Sequence, residues 1–132
     1  MAAPPSRRSD RWIVTELRQG RATEVPLRGW SMAPALRDGD TLFVEPLGQV
    51  GRGPLVVGEV ILALRGEVLV AHRLIAVAAD SVITRGDAQP HPDPALPRTE
   101  ILGRVVRHRR ARWARLRPIL RQLWRGLMNR GR

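Results

Sequence analysis

The spacing of apolar residues changes twice along this chain, and the changes divide it into three predicted parts. In residues 10–20 Ile13 and Leu17 stand four apart on one helical face, with Asp10 placed to cap the start and Gly20 to stop the end. The polar residues 1–9 ahead of that helix read as a disordered lead-in. From residue 22 to 108 the pattern becomes short runs rich in Val, Ile and Leu: TEVPLR, TLFVEP, GEVILAL, EVLVAHRLIAV, SVIT and ILGRVV. Turn residues separate them, including Asp38-Gly39-Asp40, Arg65-Gly66 and Arg85-Gly86-Asp87, and residues 62–69 read as a hairpin. Residues 88–97 hold four prolines and predict an irregular loop. In the last part Trp113, Leu116, Leu120, Leu123, Trp124 and Leu127 recur at three- and four-residue steps among arginines, so residues 109–132 predict an amphipathic helical tail, interrupted or restarted at Pro118. The expected fold is therefore mainly β, a small twisted sheet or partly closed barrel over residues 10–108, with a helix at each end.

Composition narrows the chemistry. The 132 residues suffice for one modest core. Cysteine is absent, which excludes disulfides, thiolate metal sites and cysteine nucleophiles. His72, His91 and His108 lie far apart with no metal-ligand spacing, so no metal and no cofactor is implied. All 23 basic residues are arginine. Arginine is not deprotonated in proteins, so it offers no general base, and no lysine is present to replace it.

Charge is placed unevenly. Residues 1–103 carry twelve arginines against twelve acids, whereas residues 104–132 carry eleven arginines and no acid, the whole net charge of +11. A neutral body with a basic tail predicts a domain and a docking element for an anionic surface.

Three segments carry candidate chemistry. Gly29-Trp30-Ser31-Met32-Ala33-Pro34-Ala35-Leu36 leads into the Asp38-Gly39-Asp40 turn and a strand, an arrangement that would set a serine hydroxyl and its backbone N–H at a sheet edge, with Met32 in the core beneath. Val70-Ala71-His72-Arg73 follows on a later strand, and imidazole, with an unperturbed pKa near ~6.5, accepts a serine proton at neutral pH. Thr84-Arg85-Gly86-Asp87 and Pro92-Asp93-Pro94 then supply two acids, either of which would fix the ring of such a histidine.

In order and spacing these boxes, with the closing run Ile101-Leu102-Gly103-Arg104-Val105-Val106, resemble the signal peptidase and LexA-type repressor superfamily over about residues 25–106. Its bacterial members pair serine with lysine, which this chain lacks. The His-Arg segment is similar to that of the archaeal and endoplasmic-reticulum branch, where histidine takes the lysine's place. The resemblance implies a serine endopeptidase that cleaves a leader or signal-like peptide bound in extended form. Ser31 would be its nucleophile and His72 its base. Asp93 would be the acid that orients His72, with Asp87 organising the Gly-Asp turn or supporting the site. Two departures stand out. Gly29 occupies the position where bacterial members often carry a second serine for the oxyanion, and the N-terminal membrane anchor of ordinary signal peptidases has no counterpart here.

No apolar run approaches the ~20 residues that span a bilayer, and the start lacks the apolar core of an export signal, so the expected location is cytoplasmic. The tail suits peripheral contact with anionic membrane. It would alternatively pack on its own domain. Nucleic acid is the least favoured partner, because no stacking platform accompanies the arginines. The alternative to an enzyme is a catalytically silent peptidase-like module that docks through this tail to membrane or nucleic acid.

Overall fold

A computed structural model describes residues 8–48, 53–111 and 125–126. The chain opens with helix α1, Arg8–Arg18. Ile13 and Leu17 are its buried positions, and their four-residue spacing places both on one face. The helix begins two residues earlier than the cap at Asp10 predicts. Asp10 instead sits inside the first turn, where a carboxylate still complements the positive end of the helix dipole. At the other end the N–H of Arg21 bonds the Glu16 carbonyl at 2.9 Å and that of Gly20 bonds the Leu17 carbonyl at 3.1 Å. This pair of bonds satisfies carbonyls that the last turn leaves open.

Seven strands follow: β1 Thr23–Pro26, β2 Thr41–Pro46, β3 Val60–Arg65, β4 Val68–Val77, β5 Ser81–Arg85, β6 Leu96–Pro97 and β7 Ile101–Arg109. They form one antiparallel sheet in the order β1-β2-β7-β3-β4-β5-β6, curled into a half-barrel. The mainly β architecture and the hairpin of residues 62–69 match the sequence pattern, with Leu64 opposite Leu69. Two boundaries differ. The proline-rich loop ends in β6, because Leu96 is buried beside its partner Val82. Strand β7 runs three residues past Val106 as it pairs with β2, and the guanidinium of Arg107 stacks 4.3 Å from the Phe43 ring centre there. Beyond residue 111, the predicted helical tail falls outside the described residues except at 125–126.

The sheet feeds two cores. On the concave side Ile13 and Leu17 of α1 meet Val25, Met32, Leu42 and Leu62. On the other side Ile61, Ala63, Leu74, Val82, Leu96 and Ile101 pack together. Strand β3 serves both through consecutive buried residues, Ile61, Leu62 and Ala63, since neighbouring side chains of a strand point to opposite faces. The register slips at Phe43/Val44, Leu62/Ala63 and Leu74/Ala76. Such irregularities bend and twist a strand, which suits a curled sheet.

Curling brings strands very close at Gly103, where a Cβ would stand 2.3 Å from the Glu45 carbonyl oxygen and 2.8 Å from the Val44 side chain. Glycine is the residue that permits this approach. Gly103→Ala is expected to destabilise the fold by about 3 kcal/mol or more, near the top of the overpacking range. Thermal unfolding of the variant followed by circular dichroism measures it, with a fall in Tm of roughly 10 °C or more as the result.

Candidate active site

The loop between β1 and β2 carries Ser31 and is closed at its neck. The Leu27 N–H donates to the Asp40 carbonyl and the Gly39 N–H to the Leu27 carbonyl, each at 2.8 Å. Side chains brace the turn from within. Asp38 accepts the Gly29 N–H at 2.7 Å, and Asp40 accepts the Arg37 N–H at 3.0 Å. Met32 and Leu36, both buried, pin the loop to the concave core. Burying a side chain such as Met32 stabilises by about 1.5–3 kcal/mol, so the neighbour of Ser31 anchors it. Asp40, itself fully buried, also accepts the Ala111 N–H at 3.0 Å and thereby ties the end of the domain to this loop.

His72 comes from the middle of β4, opposite Ile61, and only 7% of it is exposed. Its Nε2 lies 3.0 Å from Ser31 Oγ and its Nδ1 lies 2.6 Å from Asp93 Oδ2. Asp93 sits between two prolines in an irregular loop, and β5 holds it there. Its N–H donates to the Thr84 carbonyl at 2.8 Å, and its Oδ2 accepts the Thr84 hydroxyl at 2.7 Å. Burial alone would push the Asp93 carboxyl up. The hydrogen bonds from His72 and Thr84, with the positive charges of His72 and Arg65, outweigh that and hold it below the ordinary carboxylate value. An ionised Asp93 only accepts, so it keeps the proton of a neutral His72 on Nδ1 and leaves Nε2 to accept from the Ser31 hydroxyl.

The second acid goes elsewhere. Asp87 is gripped by Arg73, whose Nε donates to Oδ1 at 2.8 Å and whose Nη2 donates to Oδ2 at 2.7 Å. Arg73 also donates to the Gly58 carbonyl at 2.8 Å. The turn held in this way lies against the Ser31 loop: the Ala88 N–H donates to the Ser31 carbonyl at 2.8 Å, and the Asp87 N–H points to the Met32 sulfur at 3.4 Å. Gly86 lets the turn come so near, since a Cβ there would stand 2.7 Å from the Ser31 carbonyl oxygen. Of the two candidate acids, the structure thus brings Asp93 to His72 and places Asp87 in the turn that supports Ser31.

Hydrogen bonds from Arg73 hold the Asp87 carboxyl below its ordinary range against the opposing effect of burial. A carboxyl lowered in the fold stabilises fully above its unfolded pKa, and the benefit disappears as pH falls through the folded value. Asp87→Asn is therefore expected to lower Tm at pH 7 and to converge with the parent protein only as pH falls below the ordinary Asp range and through the lowered folded value. Melting curves between pH 7 and 2 measure the convergence.

Three contributors have no role in the sequence reading. Thr84 orients Asp93, Arg73 anchors Asp87, and the Ala88 N–H fixes the Ser31 carbonyl. Only Thr84 leaves a trace in the pattern. It is buried two residues after buried Val82 on β5, a hydroxyl at an inward position of an alternating strand.

A cleft of about 410 Å³ opens beside Ser31 and His72. One wall is residues 25–28 and the other residues 68–71, with Leu42 and Leu62 between them. Three strands separate β1 from β4 in the sheet, so their meeting across one cleft is a consequence of curling. Over residues 68–72 one edge of β4 pairs with β3, while β5 pairs only from Arg73 onward. On the other side β1 pairs with β2 alone. Both cleft walls therefore present strand edges without a strand partner among the described residues.

No protein-family model matches this chain, and no curated protein matches its sequence. Among the described residues no helix is long and apolar enough to cross a membrane.

Proposed function

We propose that this chain is a serine endopeptidase of the signal peptidase type, acting on a leader-like peptide. The observation that carries the reading is the unbroken hydrogen-bonded row Ser31–His72–Asp93 at the mouth of an apolar cleft. Ser31 Oγ attacks the scissile carbonyl while its proton passes to Nε2 of His72. Asp93 stabilises the imidazolium that forms without taking its proton. When the tetrahedral intermediate collapses, the C–N bond breaks and Nε2 returns the proton to the leaving amine. His72 then takes a proton from water as its oxygen attacks the acyl ester, and Nε2 returns that proton to Ser31 Oγ when the C–Oγ bond breaks. With glycine at position 29, backbone N–H groups including that of Ser31 stabilise the oxyanion. The substrate enters as an extended strand between the edges of β1 and β4, with apolar side chains toward Leu42 and Leu62.

A purely binding module would not need this row of three side chains. A fluorophosphonate probe separates the readings: an adduct on Ser31, located by mass spectrometry, together with cleavage of a leader-type peptide is the expected result. No adduct and no cleavage would leave the docking module. Interfacial docking of the Arg-rich tail belongs to either reading, and loss of anionic-vesicle binding on removal of residues 112–132 tests it.

A further inference from the structure

The long axis of the cleft carries a charge that the peptidase chemistry does not use. Its walls include two acids, Asp10 and Glu67. Asp10 faces Arg28, 3.7 Å away on the same rim. Glu67 is exposed at the turn between β3 and β4 and has no ion pair or hydrogen bond among the described residues. In a chain with 23 arginines and twelve acids, a cleft-wall carboxylate with no partner among the described residues is an electrostatic feature of that cleft.

Its position along the strand sets what it would meet. Glu67, in the turn just before β4, precedes His72 by five residues, and a strand rises about 3.3 Å per residue, so the two are separated by up to about 16 Å. Between them the wall is Val68, Leu69, Val70 and Ala71, without a charged side chain. An extended peptide beside this edge rises at the same rate, so about five of its residues cover the distance. These residues belong to the acyl side of the scissile bond if the cleft is to hold the acyl-enzyme after the amine has left.

We propose that Glu67 selects a basic side chain four to six residues before the scissile bond, ahead of an apolar stretch that fills the cleft. This rests on the peptidase reading and adds a charge preference to it. The pair forms at an exposed rim, so its expected size is a preference of about threefold to fivefold, diminishing as salt rises.

The test uses one leader-type peptide with Lys, Gln or Glu at the fifth position before the cleaved bond. The expected order of kcat/KM is Lys, then Gln, then Glu, narrowing at 0.5 M salt. Glu67→Gln should flatten the order and Glu67→Arg should reverse it. A preference that survives charge reversal, or no preference in the parent protein, overturns the proposal. Binding of the same three peptides to the Ser31→Ala protein, read by fluorescence anisotropy, reports the preference without turnover. Absence of cleavage by the parent protein with the binding order intact would remove the peptidase reading and keep the assignment of Glu67. Equal binding of all three peptides would remove that assignment whatever the turnover.

Discussion

Ser31→Ala is expected to lower kcat on a leader-type peptide by about 10³- to 10⁶-fold, and His72→Ala by a similar factor. In the proposed mechanism the hydroxyl and the imidazole act in one step, in which Oγ–H bond breaking and Oγ–C bond formation are coupled through a 3.0 Å contact. Removing either leaves the other without a task. The double variant should therefore be no slower than the worse single variant, and whatever rate remains should come from the oxyanion donors and the cleft. Single-turnover kinetics with all three proteins measures this. If the two losses multiply, the residues contribute independently, and the shared proton transfer proposed for them fails. Loss of structure is the competing explanation, and circular dichroism separates it. Ser31 is a loop residue whose carbonyl, rather than its hydroxyl, bonds to Ala88, so alanine retains the backbone contact.

The same contact shows where the sequence is readable and where it is not. Helix α1, the strands and the hairpin follow from local periodicity, because Ile13 and Leu17 need one helical face and Leu42, Val44 and Pro46 need one sheet face. Ser31 and His72 stand out because each lies in a segment of unusual residue order, and arginine offers no competing base. Their mutual distance is another matter. They are 41 residues apart, and the curl of a sheet whose strand order departs from chain order brings them together. Of two acids six residues apart, only the family resemblance points to Asp93 for His72 and Asp87 for the turn, and nothing local in the sequence gives the reason. What distinguishes them is that β5 lends its Thr84 carbonyl and hydroxyl to residue 93, while Arg73 projects from β4 toward residue 87. Strand β6 was unreadable for a related reason: a two-residue strand has no period, and its pairing depends on the neighbour that Leu96 finds.

That assignment of the two acids leads to the second large effect. Asp93→Asn is expected to lower kcat by about 10⁴-fold, whereas Asp87→Asn should cost far less. The aspartate oxygen Oδ2 receives bonds from both His72 Nδ1–H and the Thr84 hydroxyl. An asparagine that sets its NH₂ at the Oδ2 position donates to the imidazole, and the Thr84 hydroxyl, which also accepts, turns to match it. Nδ1 must then accept, the ring proton moves to Nε2, and the nitrogen facing Ser31 becomes a donor that takes no proton from the hydroxyl. Ring-nitrogen NMR of the two variants reads the tautomer directly: proton on Nδ1 in Asp87→Asn, on Nε2 in Asp93→Asn. A larger loss of kcat from Asp87→Asn than from Asp93→Asn would exchange the two roles, and the ion pair of Asp87 with Arg73 would then have to open before the bond is cut.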